Sequence, residues 1–79
     1  MGVTYRNLKE YLKEIDCYDQ TLKIDPKNIT ALTSKGWAYR NLKEYLKEID
    51  CCDQILKIDP KNIDALNNMG EAYYNLKKH

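Results

Sequence analysis

The stretch "NLKEYLKEIDC" occupies residues 7–17, and the same eleven letters return at residues 41–51. The repetition extends further, because residues 7–40 match residues 41–74 at 26 of 34 aligned positions and residues 75–77 begin the unit again. A fixed period of this length is typical of proteins in which each copy is one supersecondary unit that packs on its neighbours. The 79 residues are therefore predicted to form one domain made of a duplicated unit.

Each copy of the unit contains two amphipathic helical segments. Pro26 is predicted to end one helix, and Asn28 is a good N-cap for the next. Helical spacing then relates the apolar or small residues Leu32, Gly36, Tyr39 and Leu42, and next Tyr45, Ile49, Cys52 and Leu56. The prediction is a single all-α domain over 1–79, with a partial A helix over 1–8, a B helix over 9–25, an A helix over 29–42, a B helix over 43–58 and a terminal A helix over 63–77.

The chain resembles the tetratricopeptide repeat family along its whole length. The residues that carry the resemblance are the helix-ending prolines Pro26 and Pro60, the small residues Gly2, Gly36 and Gly70, and the tyrosines Tyr5, Tyr39, Tyr73, Tyr11 and Tyr45. The resemblance implies a solenoid of antiparallel helix pairs with a right-handed superhelical twist. It also implies a concave groove, lined by the A helices, that binds a peptide or helix of a partner protein.

Two departures from the family pattern bear on the structure. Glu14 and Glu48 occupy a position that is usually small, and a carboxylate in a tight helix contact needs a partner or a route to water. Lys9 and Lys43 stand where the turn between the A and B helices commonly has glycine. The ordinary hairpin is the favoured prediction. The alternative is that the two helices run on as one and are exchanged between two chains.

The two copies differ at eight positions, and six of these fall within the A helix. In the family, five of the six positions line the groove, whereas the outer face of the B helix is unchanged here. Trp37, Arg40 and Tyr74 are of types that dominate interface hot spots. Asn7, Asn41 and Asn75 lie at the end of the A helices. Their side-chain amides are suited either to hydrogen bonds with the backbone of a bound peptide or to hydrogen bonds at the end of the helix. The predicted groove comprises Arg6, Asn7, Thr30, Thr33, Ser34, Trp37, Arg40, Asn41, Asp64, Asn67, Asn68, Glu71, Tyr74 and Asn75. Ordinary drift of surface positions is the alternative reading.

Composition narrows the class of function. With 13 Lys and Arg against 12 Asp and Glu, the chain lacks the basic surplus typical of proteins that bind nucleic acid or anionic membranes. The sequence shows neither a membrane-spanning apolar run nor a signal-peptide pattern, so a cytoplasmic location is expected. The three cysteines are expected to be reduced thiols and not metal ligands. The sequence has no catalytic motif, so we expect no enzyme activity and no cofactor.

The chain begins at the eighth position of the repeat and ends soon after the fourteenth, a framing typical of an excerpt from a longer array or of an engineered chain. Two uncovered apolar faces are therefore expected at the ends of the stack. Their predicted residues are Tyr11, Ile15 and Tyr18 at one end and Leu66, Met69, Tyr73 and Leu76 at the other. A homo-oligomer, formed head to tail or by symmetric exchange, follows from these faces. The leading hypothesis is a module that binds a protein or peptide, the second is a self-assembling repeat unit, and an enzyme ranks well below both.

Overall fold

A computed structural model describes the backbone of residues 5–78 and the side chains of residues 9–78. It contains four α-helices: α1 (Tyr5–Ile24), α2 (Ile29–Asn41), α3 (Tyr45–Ile58) and α4 (Ile63–Lys78). Each helix packs on the next in chain order. Residues 5–78 contain no strand, so the predicted all-α class is confirmed.

The loops between repeat units are closed by the same cap in both copies. Asn28 has extended backbone angles, and its Oδ1 accepts a hydrogen bond of 2.9 Å from the backbone N–H of Ala31. Asn62 makes the equivalent bond of 2.9 Å to Ala65. Each cap satisfies an N–H group that the first turn of the helix would otherwise leave without a partner. The predicted N-cap at Asn28 is present.

The connection between α2 and α3 is a tight hairpin turn. The N–H of Lys43 bonds to the carbonyl of Arg40 at 2.9 Å, and the N–H of Glu44 bonds to the carbonyl of Tyr39 at 2.8 Å. These two bonds form a Schellman motif, which needs a left-handed residue just after the helix. Lys43 fills that position with φ 60°, a conformation that costs a residue with a side chain about 1–2 kcal/mol.

The first copy of the eleven-residue stretch forms part of one uninterrupted helix. Residues 7–17 lie wholly within α1, whereas residues 41–51 contain the hairpin. The predicted division into a partial A helix over 1–8 and a B helix from residue 9 is therefore wrong for the described part, and residues 1–4 lie outside it. In the second copy, the turn packs the full length of α2 on α3. In the first copy the same letters form part of one continuous helix, and no turn interrupts it between residues 5 and 24.

The core lies between the last three helices and sets the position of the two A helices. Leu32 from α2, Ile55 from α3 and Ala65 from α4 form its buried centre, and Ile29 and Ile58 pack against it. Because α2 and α4 both pack on α3, their remaining faces lie side by side. Most of the residues predicted to form the groove belong to these two helices, whereas Arg6 and Asn7 belong to α1.

Candidate binding groove

Trp37 is the most prominent side chain on this face, with 56 % of its surface exposed. It borders a hollow of about 160 Å³ between α1 and α2. On the α2 side, Ser34 and Asn41 line this hollow with Trp37. On the α1 side, the lining residues are Tyr11, Glu14 and Tyr18. The hollow therefore places three predicted groove residues beside two of the tyrosines assigned to self-association.

A second and much smaller cavity lies between α2 and α3, and one of its lining residues, Asn68, comes from α4. Thr33, Trp37 and Asn68 line it together with the side chain of Glu48. Its volume is about 10 Å³, close to the space that one water molecule requires. Five of the predicted groove residues, Thr33, Ser34, Trp37, Asn41 and Asn68, therefore line one or the other of these two spaces.

A buried ion pair joins the three helices beneath the groove. The Nε of Arg40 donates a hydrogen bond of 2.9 Å to the Oε2 of Glu48, whose side chain is on α3 and fully buried. The Nη2 of Arg40 lies 2.9 Å from the same oxygen and 3.0 Å from the Oε2 of Glu71 on α4. Arg40 was predicted to contact a ligand. Its guanidinium lies against two carboxylates and so links α2, α3 and α4, and its contact with a ligand stays a prediction.

The second carboxylate oxygen of Glu48 is buried and has no hydrogen-bond partner among the described residues. Burial raises the pKa of Glu48 above its ordinary value, and the neighbouring guanidinium of Arg40 opposes that shift. The same position in the first copy is Glu14, which is exposed. Because α1 is straight, the Cα atoms of Arg6 and Glu14 are about 12 Å apart along the helix. Glu48 is therefore paired with the guanidinium of Arg40, whereas Glu14 is exposed to solvent.

The remaining predicted groove residues are spread along both A helices. Tyr74 is exposed on α4, and the Nζ of Lys78 lies 5.8 Å from the centre of its ring. Thr30, Asp64, Asn67 and Glu71 are also exposed, whereas Asn75 is half-buried. Arg6 and Asn7 belong to the part of α1 whose side chains lie outside the described residues.

The residues predicted for self-association occupy three different environments. Ile15 is buried within the chain, so its assignment to an open end face is wrong: the side chain already packs inside the fold. Tyr11 and Tyr18 are half-buried beside the larger hollow. On α4, Leu66, Tyr73 and Leu76 are exposed and Met69 is half-buried.

Sequence reasoning did not find the hollow of about 270 Å³ at the α2–α3 turn. It is lined by the turn residues Lys43 and Glu44, by Leu46 of α3 and by Leu76 of α4, among others. The available signal was Leu46, a leucine among charged residues that proves to be exposed. The pairing of Arg40 with Glu48 was missed as well, although a hairpin at residues 42–44 places these two side chains opposite each other.

The cysteines show no arrangement suited to metal binding or nucleophilic chemistry. Burial raises the pKa of Cys51 and of Cys52 to about 11, so both remain thiols, whereas Cys17 is exposed. Among the described side chains, no group of three or more His, Cys, Asp or Glu residues could hold a metal ion. No helix within residues 5–78 has the length and apolar character needed to cross a bilayer.

Antiparallel helices joined by a hairpin, with identical capped loops between the copies, define a helical-repeat protein. A family model described as tetratricopeptide repeat matches residues 17–50 and again residues 51–79. A second model with the same description matches residues 1–28. The chain belongs to the tetratricopeptide repeat family, whose members generally act as non-catalytic protein–protein interaction modules. No curated protein matches the chain significantly.

Proposed function

We propose that the chain binds an extended peptide or a helix of a partner protein in the groove that α2 and α4 form. The observation that carries this proposal is the position of Trp37, which is largely exposed between two hollows on the face where the copies differ. Tryptophan is among the residues most enriched at interface hot spots. Tyr74 supplies a second exposed aromatic side chain on the neighbouring A helix.

The charges of the groove indicate which ligands suit it. Arg40 is the only cationic residue among the predicted groove residues whose side chains are described, and two glutamates already hold it. Among its described side chains, the groove therefore offers no free cation for a terminal carboxylate. Asp64 and Glu71 are acidic and exposed, so the groove favours a neutral or basic segment.

A selection from a random peptide library, using the 79-residue chain as bait, tests the proposal. Binding of each selected peptide is then measured by fluorescence anisotropy of a label on the peptide, for the wild type and for Trp37→Ala. Loss of a hot-spot tryptophan weakens binding by roughly 30-fold or more. Leu46→Ala is the matched control, because Leu46 is 67 % exposed on α3 and outside the groove. Selected peptides that bind Trp37→Ala as tightly as wild type would contradict the proposal.

The second candidate function is a self-assembling repeat unit whose partner is another copy of itself. The observation that favours it is the exposure of apolar side chains along α4, including Leu66 and Tyr73. Such a surface is normally covered in repeat proteins, by the next unit or by a polar cap. Self-assembly through this surface leaves the fluorescence of Trp37 unchanged, whereas a peptide in the groove alters it.

A further inference from the structure

We propose that α4 of one chain docks α1 of a second copy in the way that α2 holds α3 within the chain, so that copies add head to tail. This inference deepens the second candidate function and does not depend on the groove. It rests on two comparisons within the chain. The open face of α4 is compared with the covered face of α2, and the exposed residues of α1 are compared with those of α3 that pack on α2.

The α2–α3 contact shows how an A helix receives a B helix. Leu32 of α2 is 1 % exposed at this contact, and Gly36 is buried. A Cβ atom added at Gly36 would lie 3.5 Å from the Cβ of Cys51 and 3.9 Å from the Cγ of Glu48. A methyl group at this position would therefore make ordinary contacts, whereas a longer side chain would overlap Cys51 and Glu48, which fill the space.

The open face of α4 has the same residues at the same spacing. Leu66, Gly70 and Tyr73 are the copies of Leu32, Gly36 and Tyr39. Leu66 is 51 % exposed and Tyr73 is 54 % exposed. A Cβ atom added at Gly70 would meet nothing within 4 Å. The surface that buries a B helix on α2 is therefore present on α4 but uncovered.

The matching B-helix surface is α1. Its residues Glu14 and Cys17 are the copies of Glu48 and Cys51, and both are exposed. When α1 of a second copy lies on α4, Cys17 meets Gly70 as Cys51 meets Gly36. The contact joins two different surfaces, so each added chain presents a new open α4. Head-to-tail contacts of this kind extend into open assemblies unless the rotation closes a ring.

The proposed contact differs from the α2–α3 contact at several residues: α1 has Tyr18 and Thr21 where α3 has Cys52 and Ile55, and a further difference concerns the partner of the glutamate. Tyr74 stands on α4 where α2 has Arg40, the residue whose guanidinium holds Glu48. In the docked assembly, Glu14 is buried opposite a tyrosine and has no such cation. An unpaired buried carboxylate weakens an interface. Docking of the wild-type chain is therefore weak, and Tyr74→Arg supplies the missing partner.

Sedimentation velocity over a series of chain concentrations tests the inference. The expected result is a weight-average mass that rises continuously with concentration for the wild type. We expect association to be roughly tenfold or more stronger for Tyr74→Arg, because a buried carboxylate gains a cation. Gly70→Gln abolishes association, because its side chain occupies the docking surface. The fold tolerates this substitution, since the site is open in the single chain and glutamine is a better helix former than glycine.

Gly70→Ala is the matched control, because a Cβ atom at the equivalent site of α2 makes only an ordinary contact of 3.5 Å. It should still associate. Labelling of Cys17 by a maleimide gives a second readout, since the thiol becomes covered as wild-type chains associate but not in Gly70→Gln.

Three results would overturn the inference: a monomer in both wild type and Tyr74→Arg, association that survives Gly70→Gln, or a mass that stops at a closed dimer. A closed dimer that survives Gly70→Gln would refute this docking mode and leave self-assembly by helix exchange in place. At concentrations where the chain is a monomer, Gly70→Gln should leave peptide binding at Trp37 unchanged, because Gly70 does not line the hollows beside Trp37, so the two proposals fail separately.

Discussion

Replacement of Lys43 by glycine should stabilise the chain, although it removes a side chain. Lys43 holds the left-handed conformation at the α2–α3 turn, with φ 60°. That conformation costs lysine about 1–2 kcal/mol, whereas glycine adopts it freely. Part of the gain is lost, because glycine gives the unfolded chain more conformational freedom. The expected net gain in the free energy of unfolding is about 0.5–1 kcal/mol, which corresponds to a rise in Tm of about 2–8 °C for a domain of this size.

The chain contains a matched control for this substitution. Lys9 has the same neighbours as Lys43 over eleven residues, but it lies inside α1. Glycine within a helix costs about 1 kcal/mol, so Lys9→Gly should lower the free energy of unfolding. The assay is thermal unfolding followed by circular dichroism at low protein concentration. Identical substitutions in identical local sequence should therefore shift Tm in opposite directions. A fall in Tm for Lys43→Gly, or a rise for Lys9→Gly, would refute the assignment of two conformations to one sequence.

Three further predictions concern the buried groups. Arg40→Met should lower the free energy of unfolding by about 3–5 kcal/mol, because Glu48 stays buried without its cation. Urea titration measures this change. A loss below about 1 kcal/mol would show that the ion pair does not hold the helices together. Because the pKa of Glu48 is raised in the folded state, its stabilising contribution is greatest at low pH and is lost as pH rises. The stability of wild type relative to Glu48→Gln should therefore fall as pH rises above the ordinary glutamate pKa of about 4.3, and no change as the pH is raised would refute the shift. In the native chain at low concentration, a maleimide should label Cys17 rapidly and the two buried cysteines only as the chain unfolds; rapid labelling of a second thiol would contradict their burial.

Most of the fold could be predicted from the sequence, because local features specify it. The 34-residue period, the prolines and the capping asparagines place the loops between repeat units. The conformation at the A–B junction could not be predicted this way. Residues 7–17 and 41–51 have the same letters, so the choice between a straight helix and a hairpin depends on what each segment packs against. Among the described residues, the hairpin of the second copy packs α2 along α3, whereas the first copy lies within α1.

The candidate groove could be predicted from the sequence less completely than the fold. Trp37 and its neighbours on α2 were assigned to the groove by the resemblance to the family, and in the structure several of them line two hollows. The role of Arg40 could not be read in the same way, because a cation on a groove face can bind a ligand or a buried acid. The deciding fact is the depth of Glu48, which depends on how closely α2 and α3 approach each other.

Backbone amide chemical shifts, recorded during titration with a peptide selected by the wild-type chain, give the most direct test of groove binding. The account predicts shifts concentrated on α2 and α4 around Trp37 and Asn68, with the indole N–H of Trp37 among the largest. The exposed outer side of α3, including Asp50, Asp53 and Lys57, should remain unchanged. Shifts confined to the outer side of α3, or to the surface around Gly70, would contradict it.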